Sequence, residues 1–405
     1  MSQQTIVVVG AGQAGAWAAR TLRNEGFAGH VVLVGYEAHP PYERPPLSKE
    51  QLQPDPTQMD SLLSAAEMAD LDIDWLPSLA CVRIDRVARQ IVLSNDETIG
   101  YDKLILATGG IARVPPLPGI DAPCVHTLRT LDDAQRLRSA LKPGAHLLVI
   151  GGGWIGLEVA ASARQLGCNV TLVESGATLC GRTGSPALSA YLTDLHASHG
   201  VDLRLSSGVA ALENTSSAGC RAVLADGSSV NVHLVVVGIG LIQNDAVASQ
   251  AGLECDHGVI VDRQCRTSDP DIFAAGDVTA MREDQGLLRL ESWQNAQDQG
   301  IAAARAVLGQ AVDYRPVPYF WSQQYDTMVQ LAGRSAPGAI QVTRGDASRM
   351  MVVDLTADGR VLSAIVANNP RDFRTLRKFV SDGTRIDAGR FADPAMPLAK
   401  LAIAA

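Results

Sequence analysis

TIVVVGAGQAG, residues 5–15, decides the fold. Its first five residues are β-branched at four consecutive apolar-run positions rather than at alternate ones, which predicts a strand covered on both faces, as in a parallel sheet. Gly10, Gly12 and Gly15 follow at the spacing GxGxxG, residues 14–24 carry a helical pattern, and HVVLVG (30–35) reads as a second strand of the same kind. In such a βαβ unit the first glycine makes a tight turn, the second lets the backbone approach a pyrophosphate, and the third lets the helix close on the strand. The helix N-terminus then offers unpaired N–H groups and a partial positive charge to the phosphates.

Working outward, the unit recurs. HLLVIGGG (146–153) is a second such strand, 155–166 is helical, and NVTLVE (169–174) closes the copy, with the first motif glycines, Gly10 and Gly151, 141 residues apart. Gly151, Gly153 and Gly156 take the three glycine roles. Glu174 stands 23 residues beyond Gly151, where a carboxylate binds an adenosine ribose diol. Ser175, Gly176 and Ala177 follow it, with Arg182 the nearest base, so a 2′-phosphate lacks an adjacent cation and NADH is favoured over NADPH. Two cradles imply two nucleotides. A hydride donor and a flavin are the economical pair, because a flavin accepts two electrons together and releases them singly.

Residues 81–110 alternate and turn like a meander that feeds a parallel strand, LILAT, and the proline-rich IARVPPLPGIDAP (111–123) reads as an interdomain linker. Strand signals recur at 233–240 and 271–278. From about residue 317 the pattern becomes antiparallel, with Asp358-Gly359 at a hairpin turn and a helix over 369–383. The expected fold is α/β: two Rossmann-like dinucleotide-binding domains, each three-layered about a parallel sheet, plus a C-terminal α+β domain with an antiparallel sheet. The expected boundaries are 1–112 with 245–316 for the first nucleotide domain, 113–244 for the second, and 317–405 for the third.

Composition narrows the function. A net charge of -9 over 405 residues argues against a broad nucleic-acid or anionic-membrane surface. The closest two of seven cysteines are ten residues apart, so no CxxC dithiol, zinc knuckle or local cluster motif is expected. Eight histidines show no HxH or HExxH spacing; no metal site is expected, and most histidines are expected at surface or loop positions. GxSxG is absent, and no apolar run approaches the ~18–20 residues that span a bilayer. The opening MSQQT (1–5) lacks a basic stretch, and an odd cysteine count fits a reducing compartment, so a cytoplasmic protein is expected. Monomer and homodimer are both left open.

With the two cradles, LILATG (104–109) and TSDPDIFAAGDV (267–278) resemble the glutathione-reductase-type flavoprotein superfamily. PYERPPLSKEQL (41–52), GGGWIGLEVAA (151–161), ESWQNAQDQG (291–300), FWSQQYD (320–326) and ANNPRDFRTLRKF (367–379) are similar to the NADH-dependent ferredoxin reductases of bacterial oxygenase systems. Those relatives serve aromatic-ring dioxygenases, in aromatic hydrocarbon catabolism, and camphor-type haem monooxygenases. The resemblance spans essentially the whole chain. It implies that Gly10, Gly12 and Gly15 hold the FAD diphosphate and that Arg44 and Lys49 approach the flavin. It further implies adenine contact at Val82, cofactor contact at Arg129, a ribityl hydrogen bond from Asp277 and backbone beside the flavin pyrimidine edge at Trp293. For NADH the matching positions are Gly151, Gly153, Ile155, Gly156, Glu158, Glu174 and Gly240. Two departures stand out. Gly35-Tyr36-Glu37 replaces a sequence with aspartate at the middle position, so either Glu37 takes the ribose contact or the adenosine end is held more loosely. Tyr319 stands where some relatives have tryptophan.

The implied chemistry is hydride transfer from nicotinamide to flavin, with Lys49 and Glu158 paired near the reacting edge as the catalytic candidates. A helix from about 294 to 308 would aim its N-terminus at the flavin pyrimidine carbonyl. Electrons would leave past Trp321 and Tyr319. Arg371, Arg374, Arg377 and Lys378 lie at helical offsets 0, +3, +6 and +7 and share one face, a stripe suited to steering an acidic 2Fe-2S ferredoxin of Rieske or plant/adrenodoxin type. The competing expectations are reduction of rubredoxin, monodehydroascorbate or oxygen, and a redox-responsive interaction protein similar to apoptosis-inducing factor.

Overall fold

A computed structural model describes residues 4–214, 219–283, 286–346 and 348–403, so most of the opening MSQQT lies outside the described residues. The chain divides into two compact units: Met1–Pro45 with Gln58–Ile111 and Leu241–Pro316, and Pro46–Thr57 with Ala112–Gly240 and Val317–Ala405.

The first unit is built on a five-stranded sheet in the order Ile272–Ala274, Lys103–Leu106, Thr5–Val9, His30–Val34, Ile73–Leu76, every pair parallel. Ile6, Val7, Val8 and Val9 are all at most 4% exposed, which accounts for the unbroken apolar run. The helix Gln13–Asn24 covers one face beside Trp293–Val307, with alanines at the seam. Small side chains let these two helices touch backbone to backbone: a Cβ on Gly300 would lie 2.4 Å from the Ala14 carbonyl oxygen. The opposite face is covered by the meander Cys81–Asp85, Gln90–Leu93, Thr98–Gly100 through Ile84, Ile91 and Leu93, and by Val259, Val261 and Met281. This layer is mostly β-strand, with Val259–Val261 running parallel to Thr279–Glu283, and the short helix Ala246–Gln250 adds Ala248.

The second unit repeats the plan. Its parallel sheet runs Val201–Arg204, Asn169–Val173, His146–Ile150, Leu234–Val237, Val125–His126. The cradle strand again sits in the middle, and a three-stranded meander, Val209–Asn214, Cys220–Leu224, Ser229–Val232, again backs one face. The proline-rich stretch is more than a spacer. Leu117 and Ile120 pack into that meander core, and the Leu212 N–H donates to the Pro118 carbonyl at 2.8 Å.

The same unit carries a five-stranded antiparallel sheet, Tyr319–Gln324, Thr327–Gly333, Val361–Ala367, Met351–Leu355, Ile340–Arg344. The turn at Asp358-Gly359 joins Met351–Leu355 to Val361–Ala367, with Gly359 at φ +82°. The helix Pro370–Asp382 lies on this sheet through Phe373, Leu376 and Phe379; Asn369 caps its start and Gly383 ends it at φ +63°. Among the described residues no helix is long and apolar enough to cross a membrane.

Candidate active site

The two glycine cradles have the same shape, position for position. Gly10 (φ +112°) and Gly151 (φ +109°) take backbone conformations that side chains rarely adopt. A Cβ there would meet the Ala107 carbonyl oxygen at 2.1 Å and the Gly238 carbonyl oxygen at 2.5 Å. Gly15 and Gly156 let each helix close on its own turn: a Cβ would lie 1.7 Å from the Gly10 oxygen and 2.1 Å from the Gly151 oxygen. The middle glycines differ from both. Nothing comes nearer than 4.0 Å to a Cβ on Gly12 or Gly153, and each caps its helix with no side-chain hydrogen bond. Open space therefore faces the first-turn N–H groups in both places, and each cradle fits a dinucleotide diphosphate.

The two carboxylates expected at the adenosine ends are both anchored. Glu37 receives Arg44 Nη2 at 2.6 Å and the Tyr42 hydroxyl at 2.5 Å, while the neighbouring Tyr36 is 78% exposed. Arg44 is also the group nearest the open side of Gly12, so Glu37 rather than Tyr36 is tied to the first cradle. Glu174 accepts the Gly152 N–H at 2.7 Å and the Gly176 N–H at 2.6 Å, which sets its carboxylate on the lip of the second cradle. Arg182 folds back so that its guanidinium lies 2.9 Å from a Cβ position on Gly240, a proximity that the spacing alone did not reveal.

The remaining cofactor candidates sit at element ends. Asp277 follows the strand Ile272–Ala274 through a turn at Gly276 (φ +82°), whose N–H donates to Gln299 Oε1 at 2.9 Å. Ser292 caps the helix that Trp293 opens, its hydroxyl accepting the Asn295 N–H. Val82 and Ile155 are exposed, at 48% and 44%. Arg129 precedes the capping Thr130, and its N–H donates to Asp133 Oδ2 at 2.9 Å.

Glu158 is 2% exposed on the helix Trp154–Gln165. Its Oε2 receives Lys49 Nζ at 2.6 Å and the Ser48 hydroxyl at 2.5 Å, and its Oε1 receives the Ser322 hydroxyl at 2.6 Å. One turn along the helix, Ser162 Oγ donates to the Ser48 carbonyl at 2.7 Å. The Pro-Pro start of the short helical turn Pro45–Ser48 thus delivers a serine hydroxyl and a lysine to one buried carboxylate. Ser48 and Ser322 were missed in the sequence reading. FWSQQ carries no alternation of polar and apolar residues that would have flagged them; only the strand period of two puts Phe320, Ser322 and Gln324 on one face, where Phe320 meets Trp154 with centroids 5.1 Å apart.

The other face of that strand carries Tyr319 and Trp321, stacked at 5.7 Å. Trp321 is half-buried, and Tyr319 packs on Phe373 at 5.7 Å and under the Arg377 guanidinium at 4.5 Å. Arg371, Arg374, Arg377 and Lys378 are all exposed on the helix. Lys378 pairs with Asp382 at 2.7 Å, and Asp372 is taken up by the Asn369 cap.

One histidine departs from the expectation of surface positions. His196, on the helix Pro186–Ser198, is wholly buried, with Nε2 2.8 Å from Gln324 Oε1. Burial pushes its pKa down to about 4 from 6.5. The unfolded chain therefore takes up a proton below pH 6.5 that the folded chain refuses, so stability falls as pH drops from 6.5 toward 4. Denaturant unfolding should lose about 2 kcal/mol more over this window in the native protein than in His196→Gln. Equal losses in both would exclude His196 as the cause. Burial likewise raises the thiols, Cys81 to about 11 and Cys220 to about 12, so neither presents a ready thiolate.

Two diphosphate cradles of one design in a single chain define a two-nucleotide oxidoreductase. The chain belongs to the pyridine nucleotide-disulphide oxidoreductase family, which matches residues 4–300, and a reductase C-terminal domain matches residues 319–402. It is 40% identical over 407 residues to rhodocoxin reductase of Rhodococcus erythropolis, covering 99% of this chain and 94% of that one. It is 40% identical over 402 residues to the ferredoxin–NAD(+) reductase component of the p-cumate 2,3-dioxygenase system of Pseudomonas putida, covering 98% of each. A chain of the covalent putidaredoxin reductase–putidaredoxin complex superposes with a TM-score of 0.94 at 33% identity, over 99% of this chain and 98% of that one.

Proposed function

We propose that this protein is an FAD-dependent NADH:ferredoxin reductase that supplies a 2Fe-2S ferredoxin of a multicomponent oxygenase, of the aromatic-ring-hydroxylating dioxygenase kind. The repeated cradle carries the reading: two open middle glycines in one chain call for two dinucleotides. FAD belongs to the first cradle, with Glu37, Arg44, Val82, Arg129, Asp277 and Trp293 as its further contacts. NADH belongs to the second, with Ile155, Glu174 and Gly240. Residues 1–112 with 245–316 form the FAD domain, 113–244 the NADH domain and 317–405 the acceptor-facing domain. A cytoplasmic location goes with this role.

When bound, the flavin supplies the conversion of a two-electron hydride into single electrons. The chain's own residues bind and orient. Three donors hold the Glu158 carboxylate, which in turn fixes the Lys49 ammonium as an orienting charge for hydride transfer. The Ser292-capped helix supplies N-terminal positive potential beside Trp293. A ferredoxin as acceptor is supported by the relatives, one being a ferredoxin–NAD(+) reductase component and another a putidaredoxin reductase.

The deciding experiment is NADH-dependent cytochrome c reduction with and without 2Fe-2S ferredoxins, with rubredoxin as the contrasting carrier. Strong dependence on a ferredoxin is the expected result; equal turnover with rubredoxin, or none with any carrier, overturns the reading. The exposed stripe has its own test. Reversing Arg371, Arg374 and Lys378 to glutamate should lower kcat/KM for ferredoxin by roughly 10–100-fold at low salt, with a smaller effect at high salt. An association rate indifferent to ionic strength in the unaltered protein would remove the steering role.

A further inference from the structure

The hydrogen bonds around Glu158 continue away from the cofactor-binding residues. Ser322 Oγ, which donates to Glu158 Oε1 at 2.6 Å, accepts from Gln324 Nε2 at 3.0 Å. Gln324 Oε1 lies 2.8 Å from His196 Nε2, and His196 Nδ1 lies 3.3 Å from the Tyr325 hydroxyl. The Tyr325 ring stacks at 3.6 Å on His199, which is exposed. Glu158, Ser322, Gln324 and His196 are all buried.

The directions along this chain are fixed by chemistry. The Glu158 carboxylate only accepts, so Ser322 must spend its single proton on it. Ser322 can then only accept from Gln324, which orients the amide with its NH₂ toward the serine and its oxygen toward His196. That oxygen cannot donate, so His196 must carry its proton on Nε2, leaving Nδ1 to accept from Tyr325. A flipped amide would turn the serine proton away and set a lone pair against the carboxylate. Every donor thus points toward Glu158, an arrangement in which successive bonds polarise one another.

We infer that Gln324 and His196 are positioning residues for the Lys49–Glu158 pair: they lock the Ser322 hydroxyl onto the carboxylate and so hold the ammonium of Lys49 in one place. This deepens the proposed function and rests on it. A glutamine amide does not readily relay a proton, so the role is orientation and not proton delivery. The arrangement also makes the strand Tyr319–Gln324 a structural support of the donor-side pair.

Two measurements test it. Nitrogen-15 NMR of histidine-labelled protein, read without any NADH, should show His196 as the Nε2–H tautomer; an Nδ1–H tautomer overturns the inference. Stopped-flow reduction of the bound flavin across NADH concentrations should then give a limiting rate roughly tenfold lower in Gln324→Leu and His196→Leu, with the NADH dissociation constant little changed. His196→Gln, whose amide nitrogen can reach the Nε2 position, should recover most of that rate. Losses in proportion in all three variants, or no loss in any, overturn the positioning role. Should Gln324→Leu fail to fold, Ser322→Ala breaks the same link one bond nearer the carboxylate and is expected to give the same fall. An unaltered protein that does not oxidise NADH would sink the proposed function instead, and the tautomer would still stand as a separate result.

Discussion

Gly12→Ala is expected to leave a folded protein stripped of FAD, whereas Gly15→Ala should not fold its first unit. The two positions are three residues apart, and the opposite outcomes follow from what each Cβ would meet. Gly12 has φ -87° and ψ -164°, ordinary values for any residue, and a methyl there intrudes only on the space that the diphosphate needs. The apoprotein should melt within about 1 kcal/mol of its parent's stability, and its FAD affinity should fall about 100-fold or more, read by visible absorbance after purification and by titration. A Cβ on Gly15 would sit 1.7 Å from the Gly10 carbonyl oxygen, a backbone atom that cannot yield without opening the strand–helix turn. That overlap should cost more than about 4 kcal/mol, among the largest single-residue effects. The same contrast is expected at Gly153 and Gly156, where Gly153→Ala should keep FAD and lose NADH affinity. A Gly12→Ala protein that purifies with a full complement of FAD would refute the assignment of the first cradle.

Glu158→Ala carries the second large effect. It removes the acceptor on which the Lys49 ammonium and the Ser48 and Ser322 hydroxyls now converge. Removing one partner of a buried pair costs about 3–5 kcal/mol, so thermal stability should drop measurably. NADH-driven flavin reduction should slow by about 100-fold, since the orienting charge then loses its anchor on the Glu158 carboxylate. Glu158→Gln separates the two effects in part: the amide oxygen can still accept one serine proton, so some of the lost stability should return, while the neutral side chain no longer balances the Lys49 charge and the rate should stay low. A stopped-flow rate equal to the parent's in Glu158→Ala would remove this residue from the reaction.

Local chemistry was legible in the amino-acid sequence, and distant chemistry mostly was not. The runs at 5–9 and 146–150 declared doubly covered strands, because a strand buried on both faces has no room for polar residues. Glycine spacing disclosed both turns, since each needs a backbone conformation or a close approach that only glycine allows. The helix over 370–382 was bracketed by an asparagine cap and a left-handed glycine, both readable from residue type. Ser48 and Ser322 escaped notice because they meet Glu158 across 110 and 164 residues, and no short-range pattern encodes such a meeting. His196 escaped for the same reason: its partner Gln324 lies 128 residues away, and a histidine among alanine, leucine and serine looks like any helix-surface residue. Tyr36 looked like a defect in the first cradle. The chain turns after His30–Val34, exposes Tyr36, and brings Glu37 to Arg44 instead.

The strand Tyr319–Gln324 has consequences for engineering. Its alternating faces place Ser322 and Gln324 on Glu158's side, and Tyr319 and Trp321 on the side of the basic helix. A chimera that imported everything after residue 317 from a cousin, in order to change its redox partner, would also import new neighbours for the carboxylate. Retargeting such an enzyme while leaving its fuel use untouched calls for transplanting one face of this ribbon and keeping the other, so the two traits are expected to be inherited together when the segment moves as a block.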